Sequence, residues 1–470
     1  MRKKWASAVV LLLLIGAVGW IDVFVKPTML AAQAAQEEAR LAAEKQKIEE
    51  TPHAEGVFSS HLPIITIETN GQDIEKDMPI WGTMQVFDQN KAFNYLDDTP
   101  RYAVPISIKY RGNSSYLTFD KKQYRIETYK KAQTEDKDKI PLLGMKSDSE
   151  WVLNAPFLDR TLLRNHLMYG VARQTMRWAP DTRFCELFLN GSYQGVYLAV
   201  EPVRASKNRL NLQTVSSVTG ETAYLVKRDR AESEVHELNN FGTYTALTPQ
   251  KLSVAYPSAQ RLTDENIRYI QNDISHFERI LYSDNFKDEK NGYSAYIDVD
   301  SFVTYYVLNE FFMNNDAGNL STYLYKDLGG KICISVWDFN NALDNYAWSV
   351  TQPEGFFINS NAWFDALLQD ENFTRQVIEK YRLLRKTVLS DDYLLGEIDK
   401  TVEVLGDAID RNFAVWGYTF IESLRILEKD GTSNDARSYE QAVQQLKNTL
   451  VKRGKFMDEN IEALYQFSRQ

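Results

Sequence analysis

The sequence predicts an α+β fold: a β-rich front, a mixed middle and a helical end. Three observations carry this. Period-2 apolar alternation dominates residues 57–130 and returns at 184–203. A helix-periodic stretch at 298–316 sits between strand-like segments, and from 361 onward the patterns are helical. Strands gathered at one end and helices at the other argue α+β rather than an alternating α/β order. No internal repeat is evident.

The elements follow in order. Arg2, Lys3 and Lys4 precede a run from Trp5 to Val25 whose one acid is Asp22. About 20 apolar residues span a bilayer, and positive charge before the run directs the rest of the chain outward. The expectation is a signal anchor over 1–28, with the protein in the cell membrane by a single pass and the remainder extracytoplasmic. The alternative is a cleaved signal peptide with small residues at 31–35. Residues 29–56 are rich in Ala, Glu, Lys and Gln and read as a helical stalk, closed by Pro52 and Gly56.

"LPIITIET" (62–69) alternates and ends at Asn70-Gly71, a strong turn signal. "PIWGTMQVFD", "YAVPISIKYRG" and "KKQYRIETYK" continue the pattern, so 57–130 reads as a twisted antiparallel sheet. A charged surface loop follows at 131–139. A helix is expected from Asp159, its N-cap, through "DRTLLRNHLMYGVARQ". "FCELFLNGSYQGVYLAVEPV" is a hairpin turning at Asn190-Gly191, and "TAYLVKRD" is a strand. The helix over 298–316 takes Asp300 as its N-cap and ends at Asn314, Asn315 and Asp316. "STYLYKD" and "KICISVWD" form a hairpin around Gly329-Gly330. We divide the chain into a core over 57–350 and a helical part of the same domain over 351–470.

Composition narrows the function. The 470 residues carry a net charge of -10, which argues against a nucleic-acid binder. Cys185 and Cys333, the two cysteines, lie in apolar strand contexts and read as core residues, with a disulfide between them outside the cell as the alternative. The five histidines are scattered, so a zinc site is not expected.

Four groups could carry chemistry. "RGNSS" holds Arg111, Asn113 and Ser114, and Lys121 and Lys122 follow it. Loop N–H groups and a strand lysine can hold phosphate; a polar turn with a solvated basic edge explains the same residues. "DRTLLRN" places Asp159, Arg164 and Asn165 on a leucine-rich helix, where a structural ion pair is the simpler explanation. Asp316, with Asn319 behind it, ends a helix where an acid opposes the macrodipole. "KICISVWDFNNALDN" delivers Asp338, Asn340, Asn341 and Asp344 at a strand mouth. A magnesium ion is usually held by one or two carboxylates plus substrate phosphates. Strand lysine, then helix-end acid, then strand-end acid is the order of a protein kinase, though no G-x-G-x-x-G or H-R-D occurs.

The chain resembles the spore coat protein H (CotH) kinase family, an atypical secreted kinase-like group. The resemblance rests on "RGNSS" with "KKQYRIE", "WVLNAPFLDRTLLRN", "FLNGSYQGVYLAVE", "NNDAGNLSTYLYKD" and "WDFNNAL", and on the late "LVKRGKFMDENI". It covers roughly 60–465. It implies a kinase-like fold and transfer of the ATP γ-phosphate to protein Ser or Thr hydroxyls with Mg²⁺ or Mn²⁺. Lys122, or Lys121, would contact the nucleotide. Asp338 would bind metal, and Asp316 would be the catalytic acid/base or a second ligand. Asn319 and Asn340 would complete the metal shell, and Asp159, Arg164, Asn165 and Glu201 would brace the cleft, Glu201 pairing with a lysine. Two departures matter. Asn340 stands where relatives often have Asp, and Lys227 where acidic or neutral residues are common. An inactive kinase-like envelope or spore-coat module is therefore the alternative.

Overall fold

The computed structural model describes residues 53–468, apart from 90, 215, 217–219, 231–234, 246–249, 346–351 and 421–435. The expected anchor and the stalk up to residue 52 lie outside the described residues. No helix among the described residues is long and apolar enough to cross a membrane.

Seven strands close into a barrel: β1 (Ile64–Glu68), β2 (Ile80–Phe87), β3 (Tyr102–Arg111), β4 (Gln123–Thr128), β5 (Glu150–Asn154), β6 (Thr182–Leu189) and β7 (Ser192–Val200). Their spatial order is β1-β2-β3-β4-β5-β7-β6, closed by a parallel pairing of β1 with β6. The antiparallel sheet expected over 57–130 thus supplies four staves of a larger barrel. Alternation reveals which face of a strand is buried, but not which distant strand covers its edge. Ile67, Met84, Ile106, Ile126, Trp151 and Tyr197 belong to its buried core. The β1 and β6 ends turn at Asn70-Gly71 and Asn190-Gly191, all four with positive φ, as the sequence predicts. The described residues up to His61, with Phe87–Arg101, form a small separate unit. There Ser59–Ser60 pairs with Asn94–Tyr95.

A five-stranded sheet follows. Its strands β8 (Tyr224–Arg228), β9 (His236–Glu237), β10 (Leu252–Tyr256), β11 (Thr322–Lys326) and β12 (Cys333–Ser335) are ordered β9-β10-β8-β11-β12. Helix α1 (Arg164–Thr175), whose buried apolar residues join the larger core outside the barrel, begins later than Asp159. Leu162 has φ 66°, which interrupts any helix there. Asp159 still serves the first turn from upstream, accepting the Arg164 N–H at 2.7 Å. Helix α2 (Asp264–Leu281) starts with a reciprocal capping box between Thr263 and Asn266. Helix α3 (Val299–Phe311) is capped by Asp298, not Asp300: Asp298 accepts the Ser301 N–H at 2.9 Å. It stops at Phe311, so Asp316 lies in the turn beyond it and the macrodipole does not act on it.

The chain closes with α4 (Glu371–Arg385), α5 (Asp391–Leu405), α6 (Ala408–Trp416) and α7 (Tyr439–Asn460). Arg453 of α7 is fully buried against Glu310 of α3, 2.7 Å away. Asn412 of α6 reaches the barrel, accepting from Val196 N at 3.0 Å. A Cβ at Gly195, whose φ is 88°, would sit 2.5 Å from Asn412 Oδ1, so this approach requires glycine. Both cysteines are buried free thiols.

Candidate active site

The loop after β12 is held from three sides. Asp338 itself adopts φ 57°, a left-handed conformation that Asp tolerates better than most residues. Its N–H donates to Tyr169 Oη at 3.0 Å, and Phe339 N–H to Asn165 Oδ1 at 2.8 Å. Arg164 Nε donates to the Ala342 carbonyl at 2.9 Å and Nη2 to that of Leu343 at 3.3 Å. The same guanidinium pairs with Asp159 at 2.6 Å. The first turns of α1 therefore grip this loop, which gives "DRTLLRN" its place. From the other side Leu343 N–H donates to Phe312 O at 2.8 Å, and Asn314 Nδ2 to the Asp338 carbonyl at 3.3 Å. The fixed backbone is what allows a strained residue to persist here.

The charge of Asp316 is felt at Asp338. Asn341 Nδ2 donates to Asp316 Oδ2 at 3.0 Å, and Asn340 N–H to Asp338 Oδ1 at 3.2 Å. Burial pushes the Asp338 carboxyl above the usual carboxylate range; Arg111 opposes the shift, and Asp316 and Asp229 add to it. Burial likewise raises Asp316, against the Asn341 hydrogen bond and the charge of Arg230. The mouth is thus an acid-rich spot in which burial outweighs the cations present.

The basic side chain that faces Asp338 is Arg111. Its guanidinium lies 5.3 Å from the Trp337 ring centroid and donates to Gln123 Oε1 at 2.7 Å. A side-chain relay continues from Gln123 through Asn154 and Asn165 to Asn340 Oδ1, with links of 3.0, 3.3 and 2.9 Å. Lys122 Nζ donates to the Tyr116 carbonyl at 2.6 Å. Residues Ser114–Thr118 form one helical turn with Asn113 before it, rather than an extended loop. Lys121 is sealed inside, its amine donating to Val196 O at 2.6 Å and Asn412 Oδ1 at 2.8 Å. Burial holds its pKa well below the usual lysine value. None of these lysine partners is shared with Asp338.

Asn319 Oδ1 accepts the Ala362 N–H at 3.3 Å. Glu201 does not pair with a lysine: Arg209 is its partner at 2.8 Å, with its guanidinium 4.8 Å from the Trp151 ring centroid. Burial pushes Glu201 up to about 6 despite Arg209. Sequence reasoning gave Tyr169, Asn314 and Asp229 no role at the site. A signal existed for Asp229, the acid that closes the expected strand "TAYLVKRD", just as Asp338 closes "KICISVWD". Nothing marks Tyr169 among the other tyrosines.

Among the described residues, no three His, Cys, Asp or Glu side chains converge closely enough to hold a metal unaided. Two buried carboxylates suit an ion that takes its remaining ligands from water and phosphate. Asn314 fits the same chemistry: it is 2% exposed and its Oδ1 has no hydrogen-bond partner.

The fold and site define a mixed α+β protein with a barrel, a helical end and an acid pair at a gripped strand mouth. The chain belongs to the CotH kinase protein family, which matches residues 108–457. That span starts within β3, ends within α7 and contains the whole strand mouth. The chain is also 26% identical over 355 residues to inner spore coat protein H of Bacillus subtilis (strain 168). The match covers 70% of this chain and 82% of that protein.

Proposed function

We propose that the protein is an atypical kinase that transfers the ATP γ-phosphate to Ser or Thr hydroxyls of a protein substrate. The observation that carries this is the acid pair, Asp316 and Asp338, buried beyond what its neighbouring cations offset. Family membership supports the kinase-like fold and chemistry; the substrate, the hydroxyl acceptor and the metal are our reading.

Asp338 would hold Mg²⁺ or Mn²⁺, with Asn340 and Asn314 supplying neutral oxygens near it. The bound ion would supply neutralisation of phosphate charge. Arg111 adds fixed positive charge beside Asp338, already oriented by Gln123 and Trp337. Asp316 is held at one oxygen by Asn341, and its raised pKa suits a group that accepts the acceptor hydroxyl's proton. Arg164, Asn165 and Tyr169 keep Asp338 in its left-handed conformation. Lys122 remains the nucleotide-contact candidate among the lysines, and would have to leave Tyr116 to serve. We place the catalytic part outside the membrane, on the N-terminal anchor expected from the sequence.

The second reading, an inactive envelope or spore-coat module, draws on Lys121 and Lys122 both being engaged elsewhere. Incubating the full chain with γ-labelled ATP, Mn²⁺ and a generic protein acceptor separates the two. Asp338→Ala and Asp316→Ala are run in parallel. Each substitution is expected to reduce transfer by about 100-fold or more. Absence of transfer by the wild type, with no nucleotide-induced stabilisation, would favour the inactive module.

A further inference from the structure

Asp316 lies past the end of α3, so no regular element fixes its backbone, yet every carbonyl from 315 to 318 is engaged. Asp316 O accepts the Asn319 and Leu320 N–H groups at 3.0 and 2.7 Å, within the turn itself. Gly318 O accepts from Arg228 Nη1 at 2.8 Å. The carbonyls immediately before and after Asp316 go to a single side-chain nitrogen. Asn361 Nδ2 donates to Asn315 O at 3.2 Å and to Ala317 O at 2.7 Å. An amide nitrogen carries two hydrogens, and here both serve the main chain on either side of one carboxylate. A Cβ at Gly318, whose φ is 86°, would sit 3.3 Å from Asn361 Cβ, so the two segments are in close approach. Ala362 N–H adds a further tie, to Asn319 Oδ1 at 3.3 Å.

Asn361 is itself held at both ends of a strap over 353–363. At the first end, the Pro353 and Gly355 carbonyls accept from Arg453 Nη1 at 2.8 and 2.7 Å. The Phe357 and Ile358 N–H groups then donate to the Glu310 carboxylate at 2.9 and 3.0 Å. At the other end, Trp363 donates its N–H to Tyr282 Oη and its indole N–H to Glu278 Oε1, both at 3.2 Å. Trp363 is 1% exposed and has φ 68°. A bulky residue in the left-handed region persists only where its surroundings over-determine it. The strap is therefore rigid on each side of Asn361, and Asn361 is 8% exposed.

We propose that Asn361 is a positioning residue for Asp316: by bracketing its backbone, it aims the carboxylate at the acceptor hydroxyl. Asn341 orients the carboxylate from the side chain, at Oδ2, and Asn361 fixes the main chain that carries it. This rests on the phosphotransfer reading above. A misplacement of about 1 Å in a reacting group can cost about 100-fold in rate, so a support without any contact to substrate can still govern turnover.

The test compares the full chain with Asn361→Ala, Asp316→Ala and the double variant, in transfer from γ-labelled ATP with Mn²⁺ and a generic protein acceptor. Asn361→Ala is expected to lower kcat by about tenfold or more, with KM for ATP within about twofold of wild type. The double variant is expected to be within about twofold of Asp316→Ala, because the effect of Asn361 passes through Asp316. A merely structural role would slow Asp316→Ala by the same factor as it slows the wild type. Melting temperatures confirm that each variant is folded. If Asn361→Ala is not, Asn361→Ser, whose hydroxyl keeps one donor, takes its place with a smaller loss of kcat and the same non-additivity. Wild-type transfer with an unchanged kcat in the Asn361 variant, or an additive double variant, would overturn this inference and leave the phosphotransfer reading standing. Absence of transfer by the wild type would overturn both.

Discussion

Helix α3 leads from one buried charge site to another, and the two are built on opposite terms. Glu310, near its end, is fully buried against Arg453 at 2.7 Å. Its carboxylate also accepts N–H groups from Phe357 and Ile358 at 2.9 and 3.0 Å. Arg453 further donates to the carbonyls of Pro353 and Gly355, at 2.8 and 2.7 Å. Just past the helix, Asp316 has one amide donor, Asn341, and feels the charge of Asp229. The first site pairs its two charges within the protein, with Arg453 Nε alone of its guanidinium nitrogens left without a hydrogen-bond partner. The second has acceptors in excess. A buried ion that is matched in charge holds structure together. One left short is poised for a partner the fold does not contain.

The largest effect that would sharpen this contrast is at the matched pair. Burial pushes Glu310 up and Arg453 down even though they are paired. Removing one partner therefore strands the other. Glu310→Ala or Arg453→Ala is expected to cost about 3–5 kcal/mol in denaturant unfolding. A joint replacement by apolar residues of similar volume should recover most of it. A loss below about 1 kcal/mol for either single change would break the comparison.

A smaller effect concerns a buried group kept neutral. His166 bonds Thr182 Oγ1 at 2.8 Å, and burial, helped by Arg183 and Arg173, pushes it down to about 4. Its folded pKa lies below the unfolded value of about 6.5. The neutral ring's contribution is thus present above that value and is lost as pH falls through about 4. Stability should decline across this window, and His166→Gln should flatten the decline. An unchanged slope would show that acid groups alone set it.

Much of the fold was legible because local signals are local. The turns at Asn70-Gly71 and Asn190-Gly191, the hairpin around Gly329-Gly330 and the late helices depend on residues close in sequence. Barrel closure was not legible, because β1 meets β6 across a long separation. The α1 start was misplaced because Asp159 caps from outside the helix and Leu162 breaks it. Helix α2 was not read from the sequence, although Ile267, Ile270, Ile274, Phe277 and Leu281 lie at helical spacing. At the site, Asp316, Asp338, Arg164 and Asn165 stood out as polar residues in apolar surroundings. Arg111 rather than a lysine acts on Asp338, because Lys121 is turned into the core and Lys122 is held by the Tyr116 carbonyl. The grip of Tyr169 on Asp338 N–H depends on tertiary contact and left no mark in the sequence.

The most direct measurement of the unmatched-acid account is the melting temperature of wild type and Asp338→Asn, each alone and with ATP and Mg²⁺. The ionised Asp338 carboxylate is disfavoured by burial. Its raised pKa costs the folded state stability above the unfolded value of about 3.9. The Asn amide oxygen can still accept the Asn340 N–H. The account predicts that ATP and Mg²⁺ raise the wild-type melting temperature. It predicts that Asp338→Asn melts no lower than wild type when alone, and gains nothing from the ligands. A wild type indifferent to ATP and Mg²⁺, together with an Asp338→Asn variant that melts lower, would show that Asp338 is a structural residue and contradict the account.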